Sequence, residues 1–156
     1  MKGFKKTIYT IVCVYLSIIQ AGCSYINDFY ILNKSSQPVT VIITTFQPIE
    51  KLFGDEFRGI KLLYTNEIVE LDRDTKNSLK KSLEYKSINE KTISIELQPN
   101  TTNLIGRGGN GSVLYDLDSI SFIKGDERVT YRYEKLIEVV EPKRDMFPNV
   151  LSYTIE

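Results

Sequence analysis

Three aspartates lie near one another in the second half of the chain: Asp116, Asp118 and, eight residues on, Asp126. Carboxylates in such proximity have two chemistries open to them. Hard oxygen ligands of this kind hold calcium, with Asn110 as a further oxygen donor, although the spacing is not that of an EF-hand loop. Two carboxyl groups flanking a glycosidic bond can also serve as acid and as base or nucleophile. An extended 116–118 segment would project Asp116 and Asp118 from one face. A solvated acidic face is the commoner meaning of such a cluster, and no metal ligand or catalytic residue is assigned from it. The chain has no histidine and two cysteines, Cys13 and Cys23. Histidine-based triads and typical zinc sites therefore lack their residues. Tyr131 and Tyr133 could stack on a sugar ring, but alternating tyrosines on a strand usually pack the sheet.

A glycine run comes next in chemical interest. Gly106-Arg107-Gly108-Gly109-Asn110-Gly111-Ser112-Val113 fits G-x-G-x-x-G-x-V, the loop that closes over nucleotide phosphates in protein kinases. Phe122-Ile123-Lys124 even imitates the strand lysine that reaches those phosphates. Only 32 residues follow Lys124, and the chain contains neither an H-R-D nor a D-F-G triplet. A dinucleotide fingerprint must open a helix, and Ser112–Leu117 has no helical pattern. The run is read as a flexible turn over 106–111, with Arg107 and Asn110 as residues available to a partner. No cofactor is expected.

The N-terminus carries a different chemistry. Lys2, Lys5 and Lys6 precede an uncharged apolar stretch, Thr7–Ile19, and Gln20-Ala21-Gly22-Cys23 follows. That order is the order of an export signal. Thirteen apolar residues at about 1.5 Å each fall short of a hydrocarbon core of about 30 Å, so a cleaved signal is expected rather than a permanent span. Cys13 would leave with the signal, and Cys23 would remain as a lone cysteine unable to form an internal disulfide. Acylation of that thiol would remove a free thiol from an oxidising compartment and anchor the chain.

Cutting before Cys23 leaves 134 residues, enough for one domain with its own core. The whole chain has 20 basic and 20 acidic residues and the first 22 carry three lysines, so the remainder has net charge −3. A nucleic-acid partner would require a basic face. Anionic lipid would attract so mildly acidic a domain only weakly, which leaves membrane contact to the anchor.

The elements that must position these residues read mainly as strands. After a tether over 23–28, strands are expected at Phe29–Asn33 and Val39–Phe46, the second covered on both faces by Val39, Val41 and Ile43 on one side and Ile42 and Phe46 on the other. One or two strands are expected in Ile60–Leu71. A short helix within 74–85 would place Leu79 and Leu83 one turn apart. Thr92–Leu97 and Ser119–Ile123 alternate, as do Val129, Tyr131 and Tyr133, with Gly125-Asp126-Glu127 as a hairpin turn and Leu151–Ile155 as a last strand. The expectation is an all-β, antiparallel sandwich of about seven or eight strands forming one domain over 29–156.

Ala21-Gly22-Cys23 resembles the lipobox of bacterial lipoproteins, with Gln20 where that family usually has an aliphatic residue. Ile31-Leu32-Asn33-Lys34-Ser35, Leu97-Gln98-Pro99-Asn100-Thr101, Asp118–Phe122 leading into Gly125-Asp126-Glu127, and Tyr153-Thr154-Ile155-Glu156 resemble the small, functionally unassigned lipoproteins of Bacteroidota-type bacteria. The likeness spans most of the chain after Cys23. It implies a palmitate-type acyl anchor on Cys23, export to the cell envelope and a β-domain with no catalytic residues to carry over. The function expected is structural, or binding of an envelope protein or glycan. The alternative is a small carboxylate-dependent hydrolase acting outside the cytoplasm.

Overall fold

The computed structural model describes residues 26–53, 58–72, 74–109, 113–143 and 149–156. The expected signal over 1–22, Cys23 and Asn110 lie outside them. Among the described residues eleven strands run in chain order: β1 (Ile26–Asn33), β2 (Val39–Thr45), β3 (Gly59–Thr65), β4 (Lys81–Ser82), β5 (Tyr85–Asn89), β6 (Thr92–Leu97), β7 (Thr101–Gly109), β8 (Leu117–Lys124), β9 (Glu127–Arg132), β10 (Glu141–Lys143) and β11 (Asn149–Ile155). They form two sheets, ordered β10-β11-β1-β7-β3-β4 and β5-β6-β2-β8-β9. The sandwich is as expected, with more strands than the seven or eight anticipated. The pairing of β1 with β11 is parallel.

Alternation builds the space between the sheets. Val39, Val41 and Ile43 of β2 and Ile93, Ile95 and Leu97 of β6 are buried there with Phe29, Ile31, Ile105 and Ile120. Each such side chain contributes about 1.5–3 kcal/mol on leaving water. The turn after Leu97 carries the chain from one sheet to the other, with Asn100 at φ 54°. Asparagine tolerates that left-handed conformation. Beside it, the buried Asn33 amide donates to Gln37 O, Leu97 O and Gln98 O at 3.0–3.1 Å. At the same end of the five-stranded sheet, Gly125 at φ 59° begins the two-residue turn that pairs Lys124 with Glu127.

The two outer faces differ. On the six-stranded sheet Tyr30, Leu32, Leu104 and Val150 form a second apolar cluster with Ile68, Val69, Leu71 and Leu79. Residues 68–72 and Leu79 therefore lie across that face, pinned where Val69 N donates to Thr102 Oγ1 at 3.0 Å. This segment corrects two expectations. Leu71 belongs to no strand, and the helix α1 (Thr75–Ser78) has only four residues. Leu79 and Leu83 are buried in different clusters, so their spacing of four reflects no common helix face. On the five-stranded sheet Ile42 stays half-exposed, which corrects the expectation that β2 is covered on both sides. A further helix, α2 (Tyr133–Val139), replaces the end of the strand expected through Tyr133, and it buries Leu136 in the main core. β1 starts at Ile26, three residues ahead of the expected Phe29.

Candidate functional site

The glycine run is a strand for most of its length, not a flexible turn. β7 continues to Gly109, between β1 and β3. Gly106 is there for closeness of approach. A Cβ on it would stand 2.6 Å from Val113 Cγ2 and 2.9 Å from Gly59 O. Its φ is not in the left-handed region; among the described glycines only Gly59 and Gly125 are. Gly59, at φ 115°, has its own backbone reason, since a Cβ there would collide with the Leu52 carbonyl oxygen.

A bulge in β7 decides where Arg107 points. Phe29 pairs with Gly106 but Tyr30 pairs with Leu104, so Ile105 is an extra residue. Strict alternation would place Leu104 and Arg107 on opposite faces. The extra residue brings both to the outer face, beside Asp28 and Tyr30. Arg107 then grips Asp28, its pairing partner across the strands, in a two-pronged ion pair: Nε to Oδ1 2.6 Å and Nη2 to Oδ2 2.7 Å. The Arg107 and Asp28 side chains are 12% and 2% exposed. The hydrogen bond to Asp28 raises the pKa of Arg107. Burial, reinforced by the charge of Asp28, raises that of Tyr30. Arg107, expected in a loop open to a partner, is thus committed to an internal pair.

The three aspartates do not converge. Residues Val113–Asp116 form a 3-10 turn, so Asp116 and Asp118 do not share the face of an extended segment. Asp116 is buried and receives Arg58 Nη2 at 2.7 Å and Nε at 3.1 Å. The two border a depression of about 170 Å³ with Gln47, Lys51, Leu52 and Gly59. Asp118 is half-buried where the β2–β8 register slips, and Asp126 sits in the exposed turn at the other end of β8. The carboxylates that do share a depression were not singled out from sequence. Glu84 and Glu96 both border two adjoining hollows of about 280 Å³ each, and Glu96 Oε1 accepts from Gln98 Nε2 at 2.7 Å. Among the described residues no three Cys, Asp or Glu side chains gather as a metal site would need.

Tyr131 and Tyr133 part company as well. Tyr131 stays on β9 and packs edge-on against Phe122 and Tyr153. Tyr133 opens α2 and lies 5.3 Å from the ring of Tyr115.

The outer face of the five-stranded sheet is polar where that of the six-stranded sheet is apolar. Register places Lys86, Ser94, Ile42, Ser121 and Thr130 in one row across it. Thr92, Thr44, Ser119 and Arg132 form the next row, and Glu96, Thr40, Ile123 and Arg128 a third. Hydroxyls dominate, and some already engage one another: Ser121 Oγ lies 2.8 Å from Thr130 Oγ1, and Arg128 Nη2 donates to Ser121 Oγ at 3.2 Å. No second apolar cluster covers this face among the described residues. The sequence signal for this face is the polar half of the alternation in Thr92–Leu97 and Ser119–Ile123.

Comparison of the chain with family models, curated proteins and solved structures returns no match.

Proposed function

We propose that this protein is an exported lipoprotein of the cell envelope, acylated on Cys23. Its sandwich acts as a non-enzymatic domain that binds an envelope glycan on the open face of the five-stranded sheet. The observation that carries the binding reading is that face. An array of threonine and serine hydroxyls, exposed at Thr130 and half-exposed at Thr40, Thr44, Ser94 and Ser119, with Arg128, Arg132 and Lys86 exposed along its borders, offers donors and acceptors to a hydroxyl-rich polymer. It offers little to an apolar protein surface. The anchor reading draws on Lys2–Cys23 and on the resemblance to Bacteroidota-type lipoproteins. The test has two arms. Metabolic palmitate labelling should mark the wild type and vanish in Cys23→Ser. Cell-wall and capsular polysaccharide should retain the wild type and lose the Arg128→Glu/Arg132→Glu variant. Retention of both proteins alike, or capture of an envelope protein in place of glycan, would reject the glycan.

A second reading, glycan hydrolysis outside the cytoplasm, draws on Glu84 and Glu96 bordering the same hollows. It requires turnover by the wild type that Glu84→Gln and Glu96→Gln each abolish.

A further inference from the structure

We infer that the end of the sandwich nearest Cys23 rests in the interfacial layer of the membrane, with Phe46 and Tyr115 as its contact residues. The inference builds on the proposed acylation of Cys23 and adds a lipid-facing surface to it.

Strand pairing shows which end this is. In the six-stranded sheet Ile26 pairs with Gly109, and Asn27 with Asn149. In the five-stranded sheet the matching end holds the Thr45–Leu117 and Ser119–Arg132 pairs. The 3-10 turn Val113–Asp116 precedes Leu117 there, and Gly106 lies against its Val113. The two most exposed aromatic side chains among the described residues are at this end, while Tyr85 and Val129 are exposed elsewhere. Phe46 is 53% and Tyr115 57% exposed. Their backbones run close together, since Phe46 N donates to Asp116 O at 3.1 Å. Tyr133 extends the patch through its contact with Tyr115. Exposed Ile88 lies close by, next to the Asn89–Thr92 pair. The opposite end exposes Lys34, Gln37, Gln98, Asn100, Asp126 and Glu156, all polar, whereas at this end the aromatic pair stands among exposed Glu50, Lys51, Glu90 and Lys91.

The length of chain beyond β1 selects the occupant. Cys23 is three residues before Ile26. Three extended residues reach about 10 Å at most, which is comparable to one headgroup layer. A lipid on Cys23 therefore holds this end, and not the polar end, at the bilayer surface. Aromatic side chains are favoured at that depth. The contact is apolar and aromatic, so it does not depend on anionic lipid. That revises the expectation, drawn from a net charge of −3, that the anchor alone touches the membrane.

The chain has no tryptophan, so single introduced tryptophans report on position. Full-length acylated protein carrying Phe46→Trp, Tyr115→Trp or Val129→Trp would be reconstituted into phosphatidylcholine vesicles with and without brominated acyl chains. Val129 is the control, 46% exposed on β9 and paired with Phe122 toward the polar end. Brominated lipid should quench the first two by about twofold or more and leave the third unchanged, as interfacial residence requires. Adding phosphatidylglycerol should not strengthen the effect. Palmitate-labelled protein with equal quenching at all three positions, or none, would overturn the inference and leave the anchor intact. A wild type that takes no label would overturn both. A concentration-dependent blue shift of Trp emission in vesicle-free Tyr115→Trp/Cys23→Ser protein would assign the patch to a second copy of the chain instead.

Discussion

Replacing Arg107 with alanine should be among the most damaging single changes in the domain. The guanidinium makes two hydrogen bonds of 2.6 and 2.7 Å to Asp28, whose side chain is only 2% exposed. Removing it strands a carboxylate inside the protein. Breaking such a buried pair from one side costs about 3–5 kcal/mol, because the orphaned charge has neither partner nor water. Against a typical domain stability of about 5–15 kcal/mol, that is a large share. For a domain of this size it lowers the melting temperature by roughly 10–20 °C. The assay is urea unfolding followed by far-ultraviolet circular dichroism on the wild type, Arg107→Ala, Asp28→Ala and the Asp28→Leu/Arg107→Met pair. The paired apolar replacement should recover most of the loss, since burying an ion pair is itself costly. If Arg107→Ala unfolds within about 1 kcal/mol of the wild type, a value usual for solvent-exposed pairs, the pair is not buried as described. The reasoning from desolvation then fails.

Two further changes probe the same strand and its neighbours. Gly106→Ala puts a methyl group against Val113 and the Gly59 carbonyl, and such overpacking should cost about 1–3 kcal/mol. Adding Val113→Ala should recover only part of it, because the Gly59 oxygen remains; full recovery in a urea titration would show that the backbone contact is unimportant. The tyrosines predict alkaline sensitivity. Burial and a hydrogen bond with Tyr115 raise Tyr133 to about 12, and burial raises Tyr30 and Tyr153 in the same direction, from an ordinary value of 10.0. The folded state then holds these protons more tightly than the unfolded chain. The associated stability is complete below the ordinary value, declines above it, and is lost as pH passes the raised values. Urea midpoints should fall above about pH 10, and less steeply in Tyr30→Phe. Full phenolate absorbance at 295 nm in a protein still folded at that pH would contradict the burial.

Most of the sheet architecture was legible because it rests on period-two alternation. Thr92–Leu97 is β6 without adjustment, and the Gly125-Asp126 turn needs only a glycine that tolerates positive φ. The parts that were not legible each have a local cause. The glycines of 106–109 suggested conformational freedom, whereas Gly106 answers a steric demand from Val113 and Gly59, residues distant in sequence. The bulge at Ile105 changes the face on which Arg107 emerges, and no alternation rule foresees an inserted residue. Helix α2 follows directly on alternating residues, which hid the spacing of buried Leu136 and Val140. One signal went unused. Asp28 interrupts an otherwise largely apolar strand, Ile26–Leu32, and a buried acid of that kind requires a cation. Among basic residues, Arg107 stood out by its glycine neighbours, but only pairing across β1 and β7 identifies it. For the outer face of the five-stranded sheet, the hydroxyls stand in the sequence, but only tertiary packing shows that Ile68, Val69, Leu71 and Leu79 cover the other sheet.

The position of β1 bears on how an anchored domain withstands load. If Cys23 carries the lipid, any force between membrane and domain enters through Ile26. β1 is an interior strand, paired with β11 from Asn27 to Asn33 and with β7 from Ile26 to Asn33. An edge strand could peel away one hydrogen bond at a time. An interior strand pulled along its axis must shear both ladders together. The Asp28–Arg107 pair lies at the loaded end of that strand and adds a register lock, because a slip of one residue would turn Asp28 toward the apolar core. The same pair that holds Arg107 away from solvent would therefore resist extraction of the chain by its lipid. Arg107→Ala should then lower the force needed to unfold the protein pulled from residue 23 by more than it lowers the force for a pull applied through β9, whose strand lies in the other sheet. Equal losses in the two geometries would show that the pair stabilises the domain without serving the anchor.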